Sequence, residues 1–329
     1  MHKPITYAYL ETTNYCNLNC TFCNRDEVVK KLKHMSLIDW KLVLEKLKNQ
    51  PIKEAKLMGL GEPFLHPKFS TICKMFKDYF PDAFLIVATN CQYKMNENFK
   101  NSLKYIDLLY LSIDGYKESY EKFRPPSKWS KLINFLEELK KIKRQNCRVT
   151  CNYVVNRENI VDISKIEQLC KEYELEELRL NIAQDWSEDK SLSRTDHISG
   201  YSLEQIDYLK KNYSKNIKGK APWTWSDCFW VKTGIYMTVE GNLKICALNT
   251  DTESLGNIFK DSNFDIIINV SEDGWFGDSI GPYQHFTHSI FRAIESGKYL
   301  LRSANNGISA IINPLGEIEN KIELGQSGY

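Results

Sequence analysis

Three cysteines near the N-terminus have the type and spacing to hold a metal cluster. Cys16, Cys20 and Cys23 follow the pattern C-x3-C-x2-C. A structural zinc site uses four ligands, so zinc would need a fourth one, for which His34 is the nearest candidate. Three thiolates on a four-iron cluster leave one iron open, and an open iron can bind a small molecule. The spacing therefore favours an iron–sulfur cluster with an open site over a closed zinc site.

The same stretch resembles the radical S-adenosylmethionine (SAM) superfamily, whose three-cysteine motif has an aromatic residue before its last cysteine, here Phe22. The resemblance implies a [4Fe–4S] cluster on Cys16, Cys20 and Cys23, with SAM bound through its amino and carboxylate groups. It also implies reductive cleavage of SAM to a 5′-deoxyadenosyl radical that abstracts hydrogen from a substrate. A reducing electron donor such as flavodoxin or ferredoxin belongs to the same expectation. The alternatives are a zinc-binding module and three ordinary cysteines.

Alternating strands and helices must position this cysteine loop. Apolar runs predict six strands, each followed by a helical pattern, at residues 5–10, 55–58, 83–88, 108–113, 148–155 and 177–182. This alternation indicates an α/β fold with a parallel sheet, two units short of a complete eight-unit barrel. The radical SAM resemblance implies an open, TIM-like partial (β/α)6 barrel over residues 1–217. Chemistry in such sheets collects at the C-terminal ends of the strands.

A glycine-rich loop, Gly59-Leu60-Gly61-Glu62-Pro63, follows the second predicted strand. Its small residues allow a close approach of the backbone, and Glu62 offers an acceptor for an ammonium group. The family usually has G-G-E-P here and holds the amino group of SAM with it. The resemblance therefore implies that Gly59, Gly61 and Glu62 contact SAM, although Leu60 departs from the usual pattern. A plain turn is the alternative.

Later strand ends supply further candidates for the SAM site. Asn90 closes the third predicted strand and Ser112 the fourth, and both resemble family positions that face SAM. Asp114, which precedes a glycine, is equally well explained by a turn. Arg124 lies in a segment that resembles one approaching the SAM carboxylate, with which an arginine can pair through two hydrogen bonds. Asn152 on the fifth strand is a weaker candidate of the same kind.

Residues 218–262 predict a small β-hairpin flanked by two cysteines, Cys228 and Cys246. They resemble the start of the SPASM extension, which holds auxiliary iron–sulfur clusters in radical SAM enzymes that act on peptides. The sequence has no cysteine after Cys246, so the prediction is at most a partial auxiliary cluster, with two packed cysteines as the alternative. The extension suggests a peptide substrate, and a small molecule stays open.

Residues 263–329 resemble a different family, the carbon–nitrogen hydrolase (nitrilase) domain of apolipoprotein N-acyltransferase. The matching motifs are NVSEDGWFGD, GPYQHF and RSANNGISAII. We expect an incomplete α/β fragment without its own activity, joined by gene fusion or chimera near Asn263. Its apolar strands would lack sheet partners, which predicts poor solubility. The alternative function is acyl transfer or hydrolysis with Cys246 as nucleophile, although its family's Glu and Lys partners cannot be assigned.

Composition limits the remaining function classes. The net charge of +2 gives no electrostatic reason to expect nucleic acid as a partner. No apolar run approaches the roughly 20 residues that span a bilayer, and no export segment is visible, which predicts a cytoplasmic protein without a membrane span. Ten cysteines in such a chain favour metal or redox use of some of them over disulfides. Five are expected in the core, namely Cys73, Cys91, Cys147, Cys151 and Cys170.

Overall fold

The computed structural model describes residues 4–142, 146–182, 203–213, 215–217, 233–244, 256–259, 266–273, 279–296 and 298–326. These residues form two β-sheets with helices packed against them, one of eight strands and one of four. The described residues proposed for the SAM site lie on strands of the first sheet or on the segments that connect them. The second belongs to the C-terminal segment.

The first six strands of the large sheet are parallel and neighbour one another in chain order, which confirms the predicted units. They are β1 (Tyr7–Leu10), β2 (Glu54–Lys56), β3 (Phe84–Thr89), β4 (Leu108–Ser112), β5 (Arg148–Val155) and β6 (Glu177–Ile182). Every residue from Leu85 to Val87 is buried, as expected for a sheet covered on both faces. Within the described residues, the sheet stays open, with β6 at one edge.

Helices pack against this sheet and share its hydrophobic core. They are α1 (Arg25–Val28), α2 (Leu37–Leu47), α3 (Phe69–Tyr79), α4 (Glu97–Ser102), α5 (Glu118–Phe123), α6 (Trp129–Lys141), α7 (Ile163–Glu172) and α8 (Leu203–Tyr213). The predicted cap of α2 is present, because the Ser36 side chain accepts a hydrogen bond from the Asp39 N–H. Its apolar stripe is buried, and the indole of Trp40 donates to the Ile72 carbonyl at 3.1 Å. That contact ties α2 to α3.

The predicted hairpin is present as β7 (Gly234–Met237) and β8 (Leu243–Lys244), which pair antiparallel. Its position was not predicted. Strand β7 pairs in parallel with β1, in register from Tyr7 with Gly234 to Leu10 with Met237. The hairpin therefore extends the large sheet on the side of the strand that carries the cysteine loop.

The C-terminal segment forms the second sheet from β9 (Ile266–Glu272), β10 (Tyr299–Asn305), β11 (Ser309–Ile312) and β12 (Ile318–Ile322), with helix α9 (Gly281–Ser296) between β9 and β10. Strands β9 and β10 are parallel, and the other two pairings are antiparallel. Strand β12 was not predicted. A small core joins helix to sheet, in which Phe286, Ala293, Leu300, Ile308, Ala310 and Ile312 are buried.

Large apolar side chains stay exposed on this segment. Val270 on β9 is 49% exposed, and Phe291 and Ile294 on α9 are 56% and 46% exposed. Such a surface fits the expectation of an incomplete fragment, and the predicted low solubility stays a prediction. Across the described part of the chain, no helix combines the length and the apolarity that crossing a membrane requires.

Candidate active site at the cysteine loop

The cysteine loop leaves the C-terminal end of β1, the edge where chemistry was expected. Cys16, Cys20 and Cys23 are partly exposed, whereas all five cysteines expected in the core are buried. The N–H of Cys23 donates to the carbonyl of Cys20 at 3.0 Å, which closes a turn around the last two thiols. Access to solvent thus separates the three motif cysteines from the structural ones.

Two hydrogen-bond donors point at the sulfurs of this loop. The amide Nδ2 of Asn90 lies 3.8 Å from Cys16 Sγ, and Nη1 of Arg124 lies 3.8 Å from Cys20 Sγ. Burial raises the pKa of Cys20 to about 12, and the nearby Arg124 opposes that rise. Burial also raises the pKa of Cys16 and Cys23, which disfavours their thiolates, so a metal would have to displace protons on binding.

The donor set fits an iron–sulfur cluster in its chemistry. Thiolates are the ligands that such clusters use, and hydrogen bonds to their sulfurs are a known feature of these sites. Among the residues that the structure describes, no three His, Cys, Asp or Glu side chains are already arranged to hold a metal ion. The chain therefore brings the three thiols into one loop, and their final arrangement around a cluster stays a prediction.

His34, the nearest fourth ligand for zinc, is engaged elsewhere. Its Nδ1 lies 2.8 Å from Thr13 Oγ1, and its ring stacks on Tyr15 with 4.3 Å between the centroids. Burial lowers its pKa. The geometry gives no support to a closed zinc site that includes this histidine.

The glycine-rich loop packs against the cysteine loop. A Cβ on Gly61 would lie 2.2 Å from the Thr13 carbonyl oxygen, and the Glu62 N–H donates to the Tyr15 carbonyl at 2.7 Å. The sequence suggested that small residues admit a ligand here. In the structure, glycine at position 61 is required by the close approach of protein backbone, and contact of this loop with SAM stays a prediction.

Glu62 is buried and joins the glycine-rich loop to the end of β3. Its carboxylate accepts hydrogen bonds from Asn90 N at 2.7 Å, Thr89 Oγ1 at 3.0 Å and Phe64 N at 3.3 Å. Burial raises its pKa to about 7, against the effect of these donors. The expected role as acceptor for the SAM ammonium is untested, and the described contacts are all within the protein.

Asn90 lies at the centre of these contacts, and its expected contact with SAM stays a prediction. Besides Cys16, its Nδ2 donates to Asn17 Oδ1 at 2.7 Å. Its carbonyl accepts from the hydroxyl of Tyr120 at 3.2 Å. Asn90 therefore links the cysteine loop, the glycine-rich loop and α5.

Ser112 ends β4 and is in register with Asn152 of β5, so this candidate and the weaker candidate Asn152 lie on the same part of the sheet. The Oδ1 of Asn152 accepts from Asn181 Nδ2 at 2.7 Å. Asp114 is completely buried and accepts from the N–H of Val154 at 2.6 Å. Asp114 is therefore a buried, hydrogen-bonded acid, and its contact with SAM stays a prediction.

Arg124 is the predicted residue whose surroundings differ most from expectation. Its guanidinium is buried and forms an ion pair with Asp114, with Nε 2.5 Å from Oδ2. It also lies over the ring of Phe22, 5.5 Å from the centroid. Its Nε and Nη2 pair with Asp114 beside Cys20, and the expected bidentate pair with the SAM carboxylate stays a prediction.

Glu11, the residue directly after β1, was missed by the sequence analysis. It is buried, and its carboxylate accepts from Leu60 N at 2.7 Å and from Val239 N at 3.0 Å. Burial raises its pKa to about 7. The sequence signal that could have identified Glu11 is its position, as an acidic residue at the C-terminal end of an apolar strand and just before the cysteine loop.

The C-terminal segment has a separate buried polar cluster. Arg302 is fully buried and pairs with Asp273 at 2.6 Å, and Asp273 also contacts His285 Nδ1 at 2.7 Å. Arg302 further donates to Asn269 Oδ1 at 2.7 Å. Cys228 and Cys246, the candidates for an auxiliary cluster and for a nucleophile, lie outside the described residues.

The profile of the radical SAM superfamily matches residues 10–170, which contain the cysteine loop, the glycine-rich loop and Arg124. Residues 10–170 form a radical SAM domain. This match confirms the resemblance to the radical SAM superfamily that was inferred from the three cysteines. The chain also matches the carbon–nitrogen hydrolase family over residues 255–327, which confirms the second resemblance.

Solved structures share the fold of much of this chain. SuiB from Streptococcus suis, in complex with the precursor peptide SuiA, superposes with a TM-score of 0.62 and 14% identity, over 79% of this chain and 63% of SuiB. Native anSMEcpe with bound AdoMet gives a TM-score of 0.54 and 17% identity, over 78% of this chain and 79% of that protein. At these identities the likeness shows the fold, and it confirms the predicted α/β class.

Curated relatives match only short segments. Apolipoprotein N-acyltransferase from Wigglesworthia glossinidia brevipalpis is 57% identical over 60 residues, which is 18% of this chain and 12% of that protein. The enzyme from Rickettsia prowazekii is 42% identical over 98 residues, 29% of this chain and 20% of that protein. The chain thus spans at most about a fifth of the length of these relatives.

Proposed function

We propose that the radical SAM domain reductively cleaves SAM and abstracts a hydrogen atom from a peptide substrate. The observation that carries this proposal is the set of three partly exposed cysteines in one loop at the C-terminal end of β1. When bound, a [4Fe–4S] cluster supplies the electron that splits SAM and so generates the 5′-deoxyadenosyl radical. A small reducing protein such as flavodoxin or ferredoxin is the proposed electron donor.

The chain's own residues have defined tasks in this proposal. Cys16, Cys20 and Cys23 provide the thiolates, and Asn90 and Arg124 donate towards two of their sulfurs at 3.8 Å. Both donors favour the thiolate over the thiol, because a hydrogen bond or a positive charge stabilises the anion. These donors thereby assist the deprotonation of Cys16 and Cys20 when iron binds.

The proposed SAM site lies along the adjacent strand ends. Gly59, Gly61 and Glu62 follow β2, and Asn90 and Ser112 follow or close β3 and β4. Parallel strands present their C-terminal ends at the same edge of a sheet, so these residues share the edge of the cysteine loop. Arg124 completes the set beside Cys20. We propose that backbone groups of this edge orient SAM.

A peptide substrate is proposed on two grounds. The hairpin β7–β8 resembles the beginning of an extension found in peptide-modifying radical SAM enzymes, and SuiB, which shares the fold, is seen with a precursor peptide. We assign the extension to residues 218–262 and the barrel to residues 1–217. An auxiliary cluster at Cys228 and Cys246 would belong to that extension.

The test is anaerobic reconstitution of the full chain with iron and sulfide, followed by reduction in the presence of SAM. The proposal predicts 5′-deoxyadenosine as a product, detected by chromatography and mass spectrometry. Metal analysis of the same sample distinguishes this function from a zinc module. A chain that retains zinc, takes up no iron and forms no 5′-deoxyadenosine would refute the proposal.

For residues 263–329 we propose a fragment without its own activity. Its buried polar residues Asp273 and Arg302 hold each other in an ion pair, and the family match begins at residue 255, after Cys246. Thiol labelling of Cys246 with and without an acyl donor tests the alternative. Protection of that thiol by the donor, absent in Cys246→Ala, would favour an acyltransferase over an inactive fragment.

A further inference from the structure

The carboxylate of Glu11 lies between two loops at the C-terminal edge of the sheet. Its Oε1 accepts from Leu60 N in the glycine-rich loop at 2.7 Å, and its Oε2 accepts from Val239 N after β7 at 3.0 Å. The side chain is buried, with 2% of the residue exposed. One carboxylate therefore holds two backbone segments that are remote in sequence.

This carboxylate lies so close to position 59 that only glycine fits there without a shift. A Cβ at position 59 would lie 2.4 Å from Oε1 of Glu11 and 2.6 Å from its Cγ. Real Cβ atoms do not approach other atoms so closely, so any larger residue would displace the loop or the acid. The glycine thus serves the contact with Glu11, and the loop conformation depends on where that acid is held.

The hairpin is fixed to the same place by further contacts. The N–H of Glu11 donates to the Met237 carbonyl at 2.9 Å, which continues the pairing of β1 with β7. Asn14, at the start of the cysteine loop, donates to Oε1 of Glu240 in the hairpin turn at 3.2 Å. Movement of the hairpin therefore acts directly on residues 11–14 and, through Glu11, on the glycine-rich loop.

We propose that Glu11 is a positioning residue that couples the hairpin at residues 233–244 to the SAM-binding loop at residues 59–63. The coupling makes the hairpin respond to SAM, and it makes SAM affinity depend on the hairpin. This inference rests on the proposed function, because it takes residues 59–63 as part of the SAM site. The acid contacts no reacting atom in it and acts through the backbone of Leu60.

Wild-type protein alone gives the first test. Hydrogen–deuterium exchange is measured on the reconstituted full chain with and without SAM, because exchange reports the opening of local hydrogen bonds. We expect slower exchange in peptides covering both 56–62 and 234–244. Protection of 56–62 without any change at 234–244 would overturn the coupling. Failure of SAM to bind at all would instead refute the proposed function.

Glu11→Gln sharpens the test. The amide keeps the size of the side chain and can accept one N–H, but its NH2 group then faces the second donor. Loss of one hydrogen bond to a charged group predicts SAM binding about tenfold weaker by equilibrium dialysis. SAM-dependent protection at 234–244 is lost, while iron content is unchanged. A dissociation constant and an exchange pattern equal to those of the wild type would contradict the role.

Asp107→Asn is the matched control. Asp107 also accepts from a strand N–H, that of Leu85 at 2.7 Å, and pairs with Lys77 at 2.7 Å. It lies just before β4, at the opposite edge of the sheet from the cysteine loop. This variant is expected to lose stability and to keep the affinity for SAM. Equal loss of affinity in both variants would show that Glu11 acts only through general stability.

Discussion

Arg124 and Asp114 form a buried ion pair directly beside the cysteine loop, with Nε of the arginine 2.5 Å from Oδ2 of the acid. The free side of the guanidinium faces Cys20 Sγ at 3.8 Å. The pair therefore brings one positive charge to the motif cysteines and at the same time satisfies the buried carboxylate. Asp114 in turn accepts from Val154 N, so the arginine is positioned by β5.

Arg124→Met is expected to destabilise the protein strongly. The substitution leaves Asp114 charged and buried without its partner, which typically costs about 3–5 kcal/mol. Urea denaturation of the apoprotein measures this loss, and adding Asp114→Leu should restore much of it. Lys122→Met, which breaks the exposed pair with Glu158, should cost less than about 1 kcal/mol. Comparable losses for the buried and the exposed pair would contradict the structural account.

Gly61→Ala should separate the glycine-rich loop from the cysteine loop. The new Cβ would lie 2.2 Å from the backbone oxygen of Thr13, which cannot move without shifting the cysteine loop. We expect reduced iron uptake and weaker SAM binding, measured by iron analysis and equilibrium dialysis. Gly325→Ala is the control for iron uptake: its φ of +78° strains an alanine locally, but the new Cβ would meet no atom within 4 Å. Full iron loading and affinity in Gly61→Ala would show that the loops can separate without consequence.

The raised pKa of Glu11 predicts that the free energy of unfolding falls as pH rises. Its pKa is raised from 4.5 to about 7 in the folded chain, so its contribution is fully present below pH 4.5 and is lost as pH rises through 7. The shift corresponds to about 3 kcal/mol. Glu240 and Lys244 face the same carboxylate and oppose each other in sign. Urea unfolding of wild type and Glu11→Gln between pH 4.5 and 8 should show a weaker pH dependence in the variant. Parallel curves would contradict the assignment.

Much of the large sheet could be predicted from the sequence, because each strand is a short apolar run and each helix has its own periodic stripe. The cap at Ser36 and the buried Trp40 illustrate this, since both depend on local pattern. The hairpin was also predicted as a hairpin. Its pairing with β1 could not be, because Tyr7 and Gly234 are far apart in the chain and no local pattern specifies their register.

The candidate site was predicted less completely than the fold. The three cysteines could be predicted because their spacing is visible in the sequence, without any knowledge of contacts. Arg124 and Glu62 were given ligand contacts, whereas the structure places their charged groups against Asp114, Thr89 and Asn90. Glu11 was missed because its role depends on two backbone N–H groups from distant loops. Side-chain partners across loops are the information that a single sequence lacks.

Removal of residues 263–329 is expected to increase soluble yield without reducing iron uptake or SAM cleavage. The reason is the exposed apolar surface of that segment, which includes Val270, Phe291 and Ile294. Soluble yield and 5′-deoxyadenosine formation are compared for the full chain and for residues 1–262. A shorter chain that is no more soluble, or that loses SAM cleavage, would show that the segment is not a dispensable addition.

The most direct test of the central claim compares cysteine variants under anaerobic reconstitution. Iron content and 5′-deoxyadenosine are measured for the wild type, for Cys16→Ala, Cys20→Ala and Cys23→Ala, and for Cys147→Ala as a control at a buried cysteine outside the loop. The account predicts about four iron atoms per chain and 5′-deoxyadenosine in the wild type and the control. It predicts no 5′-deoxyadenosine from the three loop variants. Equal product from Cys16→Ala and wild type, or a wild type that binds no iron, would contradict it.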